Sequence, residues 1–242
     1  MRYALQWTLS LIFNIQMYVS MIVIALVFTP LVIIDRKWTL VWMKAFAHWA
    51  RFSARWIVGL KTEVRGEVPT GAVLIASKHQ SFLDSITLVS VLPAPRFVMK
   101  KELSWIPLMG WMALRAGFIP VDRGRRGAAI KKMMADVEKG RETAGQLIIY
   151  PQGTRVAAGA AAPYKMGTAV LYGQLGQMCH PVATNVGVFW PRHGVYRKRG
   201  TAVIEFLPPI GPGHTAATFM VELEQAIEGA SNRLIAEGRG RD

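Results

Sequence analysis

The N-terminal segment carries no charged residue between Tyr3 and Ile34, and most of its side chains are apolar. A helix needs about 20 apolar residues to cross the hydrocarbon of a bilayer, so residues 4–34 predict a membrane-embedded helix. A cleavable signal would have an apolar region of about 7–15 residues followed by small residues, and this segment has neither feature. Asn14 and Gln16 are costly in hydrocarbon and Pro30 would kink a helix. A spanning helix and a re-entrant or shallowly inserted one therefore both stay open.

The next segment, residues 36–57, combines aromatic and basic side chains at helical spacing. Its aromatic residues recur at three- and four-residue steps and share one helical face, and its basic residues recur at the same steps on another face. Such a helix is typical of the bilayer interface; an amphipathic helix packed on a soluble core is the alternative. The interfacial residues predicted in this way are Trp38, Trp42, Phe46, Trp49, Trp56, Lys44, Arg51 and Arg55.

The composition favours an anionic partner at a membrane surface. The chain has 29 Lys and Arg against 15 Asp and Glu, a net charge of +14, and 52% hydrophobic residues. Lipid headgroups fit this balance better than nucleic acid, for which no recognisable binding module is present. The single cysteine, Cys179, excludes an internal disulfide, and no Cys-x-x-Cys zinc pattern occurs, so we expect no metal. The density of Lys and Arg after residue 35 predicts that the rest of the chain lies on the cytoplasmic side.

From residue 59 onward, short apolar runs alternate with helical stretches. This pattern predicts an α/β fold, with a mainly parallel central sheet flanked by helices and a ligand site at the carboxyl ends of the strands. We therefore divide the chain into a membrane-associated helical segment, 1–58, and an α/β domain, 59–242. The predicted strands are 72–77, 96–100, 117–122, 146–151, 181–190 and 201–207. The predicted helices are 84–91, 105–115, 128–141, 165–175 and 217–235.

The first polar cluster after a strand places His79 five residues before Asp84. A histidine with an ordinary pKa near 6.5 is a natural general base at neutral pH, and a carboxylate on its second ring nitrogen would orient it. A turn between the two residues is needed, because a five-residue offset does not face both side chains together on a helix. The alternative is structural: Ser81 and Asp84 also form the pattern of a helix capping box.

Two further clusters could bind an anion. Arg123, Arg125 and Arg126 follow a predicted strand among glycines, where guanidinium groups could hold a phosphate; a solvated basic loop is the alternative. The sequence "YPQGTR", residues 150–155, predicts a tight turn that exposes backbone N–H groups beside a hydroxyl and a cation, although an ordinary turn would look the same. A fourth cluster, "HPVATN", residues 180–185, predicts only a buried strand near a site.

The order of these four clusters resembles the four motifs of the glycerolipid acyltransferases, with the closest similarity to the bacterial PlsC-type 1-acylglycerol-3-phosphate acyltransferases. The resemblance covers roughly residues 60–210. It implies a membrane-bound O-acyltransferase that converts lysophosphatidate to phosphatidate at the cytoplasmic face of the inner membrane. The acyl donor would be acyl-CoA or acyl-carrier protein, with no other cofactor, and the partners would be the bilayer and the lysophospholipid.

The resemblance also implies roles for individual residues. His79 would deprotonate the sn-2 hydroxyl, which attacks the donor thioester, and Asp84 would orient the imidazole. No covalent acyl-enzyme is needed. The substrate phosphate would be held by Arg123, Gly153, Thr154 and Arg155, with Gln152 and Lys165 as further substrate contacts.

One position departs from the family pattern, which usually has glutamate where this chain has Gln152. An amide cannot act as a base or as a charged partner of an arginine. The acceptor is therefore left open between lysophosphatidate and another lyso-lipid, such as a lyso-ornithine lipid. A non-catalytic lipid-binding tether is the alternative from a different functional class.

Overall fold

The computed structural model describes residues 2–122, 135 and 145–240. Two helices form an N-terminal hairpin: α1 is Arg2–Ile34 and α2 is Lys37–Ser53, followed by a π-helical turn, Ala54–Val58. Gly59 ends that turn with φ +71°, a left-handed conformation that glycine adopts without strain. The later helices are α3 (Phe82–Val91), α4 (Met109–Arg115), α5 (Gly167–Leu175), α6 (Val186–Phe189) and α7 (Ala216–Arg239).

Seven strands form one twisted sheet in the order β1-β7-β6-β2-β5-β3-β4. They are β1 (Leu60–Arg65), β2 (Val73–Ser77), β3 (Pro95–Lys100), β4 (Ile119–Val121), β5 (Gln146–Ile149), β6 (Cys179–Thr184) and β7 (Gly200–Phe206). Every neighbouring pair is parallel except β6 and β7. The predicted α/β class with a mainly parallel sheet is confirmed, and β2 and β5, which precede two of the polar clusters, are adjacent.

Two elements differ from the sequence-based prediction. The edge strand β1 was not predicted. Residues 185–190, predicted as the end of a strand, instead turn away into α6, because side chains there replace the strand's backbone bonds: the Asn185 Oδ1 accepts from the Val203 N–H at 2.7 Å, and the Thr184 Oγ1 accepts from the Val186 N–H at 3.1 Å. The predicted helix 128–141 lies outside the described residues apart from a single helical residue, Ala135.

The long helix α1 turns its polar side chains toward the protein. Gln6 donates to the carbonyl of Arg197 at 2.9 Å, and Ser10 Oγ accepts from the Arg197 N–H at 2.9 Å. Asn14 Oδ1 accepts from the Arg197 guanidinium at 2.9 Å, and Gln16 donates to a hydroxyl of α2 at 2.9 Å. The polar residues that would be costly in hydrocarbon are thus satisfied by the protein.

The opposite side of α1 is apolar and uncovered. Its exposed residues recur at three- and four-residue steps, as one helical face requires. Among the described residues α1 is the one helix long and apolar enough to cross a membrane, with a mean hydropathy of 2.6 over its most apolar 18-residue stretch. The exposed large apolar residues are Tyr3, Leu5, Trp7, Ile12, Ile15, Tyr18, Val19, Ile22, Val23, Leu26, Val27, Ile33 and Ile34.

The helix α2 does not present its aromatic residues as one exposed face. Trp42 and Phe46 are 3% and 6% exposed and join the hydrophobic core, so their predicted interfacial position is wrong. Trp49 and Trp56 remain exposed at 43% and 69%. Arg51 likewise points inward, donating to hydroxyl groups of β1 and α3 at 2.7 Å each. The remaining predicted interfacial residues divide into the partly buried Trp38 and Lys44 and the exposed Arg55.

Candidate functional site

His79 and Asp84 meet where β2 passes into α3. The His79 Nδ1 lies 3.2 Å from the Asp84 Oδ2. The same oxygen accepts the backbone N–H groups of Gln80 and Ser81, each at 2.6 Å, and Ser81 caps α3 in return. One carboxylate therefore closes the capping box and also contacts the imidazole, so the geometry of the cap and the contact needed for a base and its partner are both present.

The partner of Nδ1 decides which histidine nitrogen can act as a base. Asp84 is fully buried, and its Oδ2 already accepts two backbone N–H groups, so it faces Nδ1 as a hydrogen-bond acceptor. The hydrogen therefore belongs on Nδ1, which leaves the lone pair on Nε2. The His79 side chain is 17% exposed, so a substrate can reach it. A base with a fixed tautomer and one accessible nitrogen is what proton abstraction from a hydroxyl requires.

Tyr150 provides a platform for the imidazole. Its ring stacks on His79 with centroids 3.8 Å apart and planes 12° apart. The tyrosine hydroxyl lies 2.7 Å from the Ser85 Oγ. Burial, together with the charge of Asp84, raises the pKa of Tyr150, so the phenol stays neutral and serves to hold the ring. Sequence patterns did not predict this contact, and Tyr150 was notable there only as the start of the 150–155 turn.

The turn at residues 150–155 packs directly against the histidine. The Val156 N–H donates to the His79 carbonyl at 2.8 Å. Gly153 has φ +70°, and a Cβ at that position would lie 3.2 Å from the Lys165 side chain, so glycine suits both the turn and the approach of the lysine. The turn thus brings Lys165, predicted from the sequence as a substrate contact, close to the backbone of Gly153.

The other residues predicted to bind phosphate occupy different surroundings. Thr154 is exposed, and Arg155 is partly exposed, with its guanidinium 3.3 Å from the carbonyl of Arg192. Gln152 is 3% exposed and its amide donates to a backbone carbonyl at 3.2 Å, so its position is interior rather than at a substrate surface. Arg123 lies outside the described residues.

An apolar patch near α4 was not predicted from the sequence. It consists of exposed aromatic and aliphatic side chains flanked by cations that lie over two indole rings. Lys101 Nζ is 5.7 Å from the Trp105 ring centroid, and the Arg115 guanidinium carbon is 5.3 Å from that of Trp111. Its exposed apolar members are Leu103, Trp105, Ile106, Trp111 and Leu114.

Comparison with known proteins places this geometry in a family. The family model described as "Acyltransferase" matches residues 61–185, more than half of the chain. A "1-acyl-sn-glycerol-3-phosphate acyltransferase" from Pseudomonas aeruginosa is 28% identical over 195 residues, covering 78% of this chain and 76% of that protein. A protein of the same name from Limnanthes alba is 32% identical over 159 residues, covering 64% of this chain and 56% of its own length.

A solved structure has the same fold. The "1-acyl-sn-glycerophosphate (LPA) acyltransferase, PlsC" from Thermotoga maritima superposes with a TM-score of 0.75, covering 97% of this chain and 99% of that one, at 17% identity. The matched family region contains the paired His79 and Asp84 and the 150–155 turn. The resemblance seen in the four polar clusters is confirmed, and the chain belongs to the acyltransferase family.

Proposed function

We propose that the protein transfers an acyl chain from acyl-CoA or acyl-carrier protein to the sn-2 hydroxyl of lysophosphatidate, giving phosphatidate. The observation that carries this proposal is the His79–Asp84 pair, in which the contact at Nδ1 leaves Nε2 as the basic nitrogen, beside a turn suited to an anion. The names of the relatives from Pseudomonas aeruginosa and Limnanthes alba support the choice of acceptor.

The chemistry proceeds without a covalent enzyme intermediate. As the sn-2 oxygen bonds to the thioester carbonyl carbon, its proton moves to the Nε2 of His79. The resulting imidazolium is stabilised by the negative charge of Asp84, which already faces Nδ1 at 3.2 Å. The tetrahedral centre then collapses, the carbon–sulfur bond breaks, and the departing thiolate takes the proton from Nε2.

The phosphate of the acceptor is assigned to the 150–155 turn and its neighbours. Arg155 supplies a planar guanidinium that can hold two phosphate oxygens, and Lys165 supplies a second positive charge next to Gly153. Thr154 adds an exposed hydroxyl donor. Because this turn is bonded to the His79 backbone, a phosphate held here would keep the rest of the acceptor close to the base.

Membrane association is assigned to the uncovered face of α1 and to the patch near α4. Large contiguous apolar surfaces on a folded protein mark interaction sites, and tryptophans with neighbouring cations are typical of the bilayer interface. We assign the protein to the cytoplasmic face of the inner membrane. Because α1 lies along the globular domain, we assign α1 to a position within one leaflet rather than across the whole bilayer.

The proposed function is tested by supplying purified protein in detergent micelles with labelled acyl-CoA and lysophosphatidate. Labelled phosphatidate is the expected product. Parallel reactions with acyl-carrier protein as donor, and with lyso-ornithine lipid as acceptor, identify the preferred pair. If no pair of donor and acceptor gave an acylated lipid, the proposal would be overturned in favour of a lipid-binding tether.

Replacing Arg155 with alanine is expected to raise the KM for lysophosphatidate about tenfold or more. A hydrogen bond to a charged group contributes about 1.5–3 kcal/mol, which corresponds to that change in affinity. The KM for the acyl donor should stay nearly unchanged. Lys61→Ala, which removes an exposed cation from the edge strand β1, is the control. Equal effects on the KM of both substrates would contradict an assignment of Arg155 to the acceptor phosphate.

Thiol reagents are expected to leave the folded enzyme active. Cys179 is fully buried, and burial raises the pKa of its thiol to about 12. The thiolate is the reactive form, and it becomes appreciable only as the pH approaches that value. Incubation with N-ethylmaleimide at pH 8, followed by mass spectrometry and an activity assay, checks this. Rapid labelling of native protein with loss of activity would show that the thiol is accessible.

A further inference from the structure

A buried lysine stands immediately before the histidine. The Lys78 side chain is 2% exposed, and its Nζ contacts both carboxylate oxygens of Glu228, at 2.5 Å and 2.7 Å. Glu228 belongs to α7, 150 residues along the chain. A buried charge requires a partner, and removing one member of such a pair leaves the other uncompensated. This ion pair therefore fixes α7 against the end of β2, one residue from His79.

The same carboxylate contacts the other side of the site. The Tyr164 hydroxyl donates to the Glu228 Oε1 at 2.9 Å, and the Gln152 Nε2 lies 3.5 Å from that oxygen. Tyr164 directly precedes Lys165, and Gln152 directly precedes Gly153. One carboxylate therefore joins the segment carrying the base to both segments assigned to the phosphate.

The charges of this network explain why position 152 is an amide. With glutamine there, Lys78 and Glu228 balance each other, and the amide nitrogen donates toward the carboxylate. A glutamate at 152 would face Glu228 across 3.5 Å, and two carboxylates would share one lysine. The family pattern usually has a glutamate where this chain has Gln152. In this chain the carboxylate next to that position belongs to Glu228 of α7.

We propose that Glu228 is a positioning residue for acyl transfer, which with Lys78 sets the spacing between His79 and the phosphate-binding turn. The inference rests on the proposed function, because it concerns how that same site is held. Small displacements matter here: a shift of about 1 Å in a reacting group can lower a rate about 100-fold. Glu228 acts through Lys78, Tyr164 and Gln152 and has no contact with the reacting atoms.

The test is an exchange of charge between positions 152 and 228. Gln152→Glu and Glu228→Gln are each expected to lower kcat about tenfold or more, while the KM of each substrate changes less than about threefold. The double variant, which restores one carboxylate and one amide, is expected to regain most of the lost kcat. Tyr164→Phe removes one hydrogen bond to Glu228 and should give a smaller fall in kcat without unfolding the protein. Glu224→Gln, which removes an exposed carboxylate from α7, is the matched control and should stay at the wild-type rate.

The melting temperatures of all five variants make the outcomes distinguishable. A double variant no better than the poorer single variant in both kcat and melting temperature overturns the proposal, as do single variants with unchanged kcat. A double variant that recovers its melting temperature but not its kcat also overturns it, because the network would then be purely structural. If wild-type protein acylates no lipid, the proposed function fails. The charge network is then tested by melting temperature alone, and a double variant that does not regain the melting temperature lost by the single variants rejects the network.

Discussion

His79→Ala is expected to lower kcat for acyl transfer by about 1,000-fold or more. General base catalysis by a positioned side chain contributes about 100- to 10,000-fold, and alanine leaves no group that can accept the hydroxyl proton. The variant should fold, because Asp84 keeps its two backbone hydrogen bonds at 2.6 Å and the lost side chain is partly exposed. Initial rates at saturating lysophosphatidate, with a melting temperature within a few degrees of wild type, check the result.

The control for this variant is His48→Ala, which removes an exposed histidine from α2. It should keep wild-type activity. Binding to vesicles of anionic phospholipid should be the same for wild type and both variants, since neither histidine belongs to the apolar surfaces assigned to the membrane. An active His79→Ala enzyme would remove His79 from its role as base, whatever the protein's substrate.

Asp84→Asn is expected to lower kcat about 100-fold or more, with a smaller change in KM. The amide oxygen can still accept from the backbone N–H groups of Gln80 and Ser81, so the start of α3 should persist. What disappears is the negative charge facing Nδ1, which stabilises the imidazolium formed when the proton moves. The new amide group is buried where no described residue accepts from it, so we also expect a stability loss of about 1–3 kcal/mol.

Ser81→Ala separates the charge from the helix cap. It removes the serine oxygen that accepts the Leu83 N–H at 3.3 Å and leaves Asp84 intact. Loss of an N-cap side chain costs about 1 kcal/mol of stability, so the melting temperature should fall while kcat changes little. If Ser81→Ala lost as much kcat as Asp84→Asn, the carboxylate would matter as a cap rather than as the partner of the imidazole.

The two sets of contacts made by Asp84 show where residue spacing stopped being informative. The spacing of His79, Ser81 and Asp84 predicted both a capping box and a catalytic pair, as alternatives to each other. The carboxylate makes the contacts of both because its Oδ2 lies at the start of α3, where the backbone N–H groups and the imidazole converge. That convergence depends on the turn at residues 80–81 and on side-chain rotamers, which residue spacing does not specify.

The aromatic helix illustrates a different gap. The periodicity of residues 36–57 correctly indicated a helix with an aromatic stripe, but periodicity does not tell what covers each part of the stripe. Trp42 and Phe46 are covered by the rest of the protein, while Trp49 and Trp56 are not. The division follows from how α2 packs against α1 and α3, which is a property of the assembled fold.

The residues that hold the site from a distance could not be found by motif. Tyr150 was visible only as part of a turn, and Glu228 lies in a helix that had no predicted role. Their contacts with His79 and Lys78 join positions 71 and 150 residues apart. Six of the seven strands and the order of the polar clusters were predictable because they depend on local pattern. These contacts instead depend on the fold bringing β2, β5 and α7 together.

The way α1 is attached has a practical consequence for producing the protein. Deleting this helix to obtain a water-soluble fragment would remove the partners of the Arg197 backbone and guanidinium groups and uncover the face of Trp190 that Phe13 now contacts edge-on. The fragment would lose the exposed apolar face of α1, which favours solubility. It would also expose the apolar surface around Trp190 and leave polar groups of Arg197 without partners. The helix that we assign to the membrane thus also packs as part of the α/β domain, and we expect its deletion to destabilise that domain.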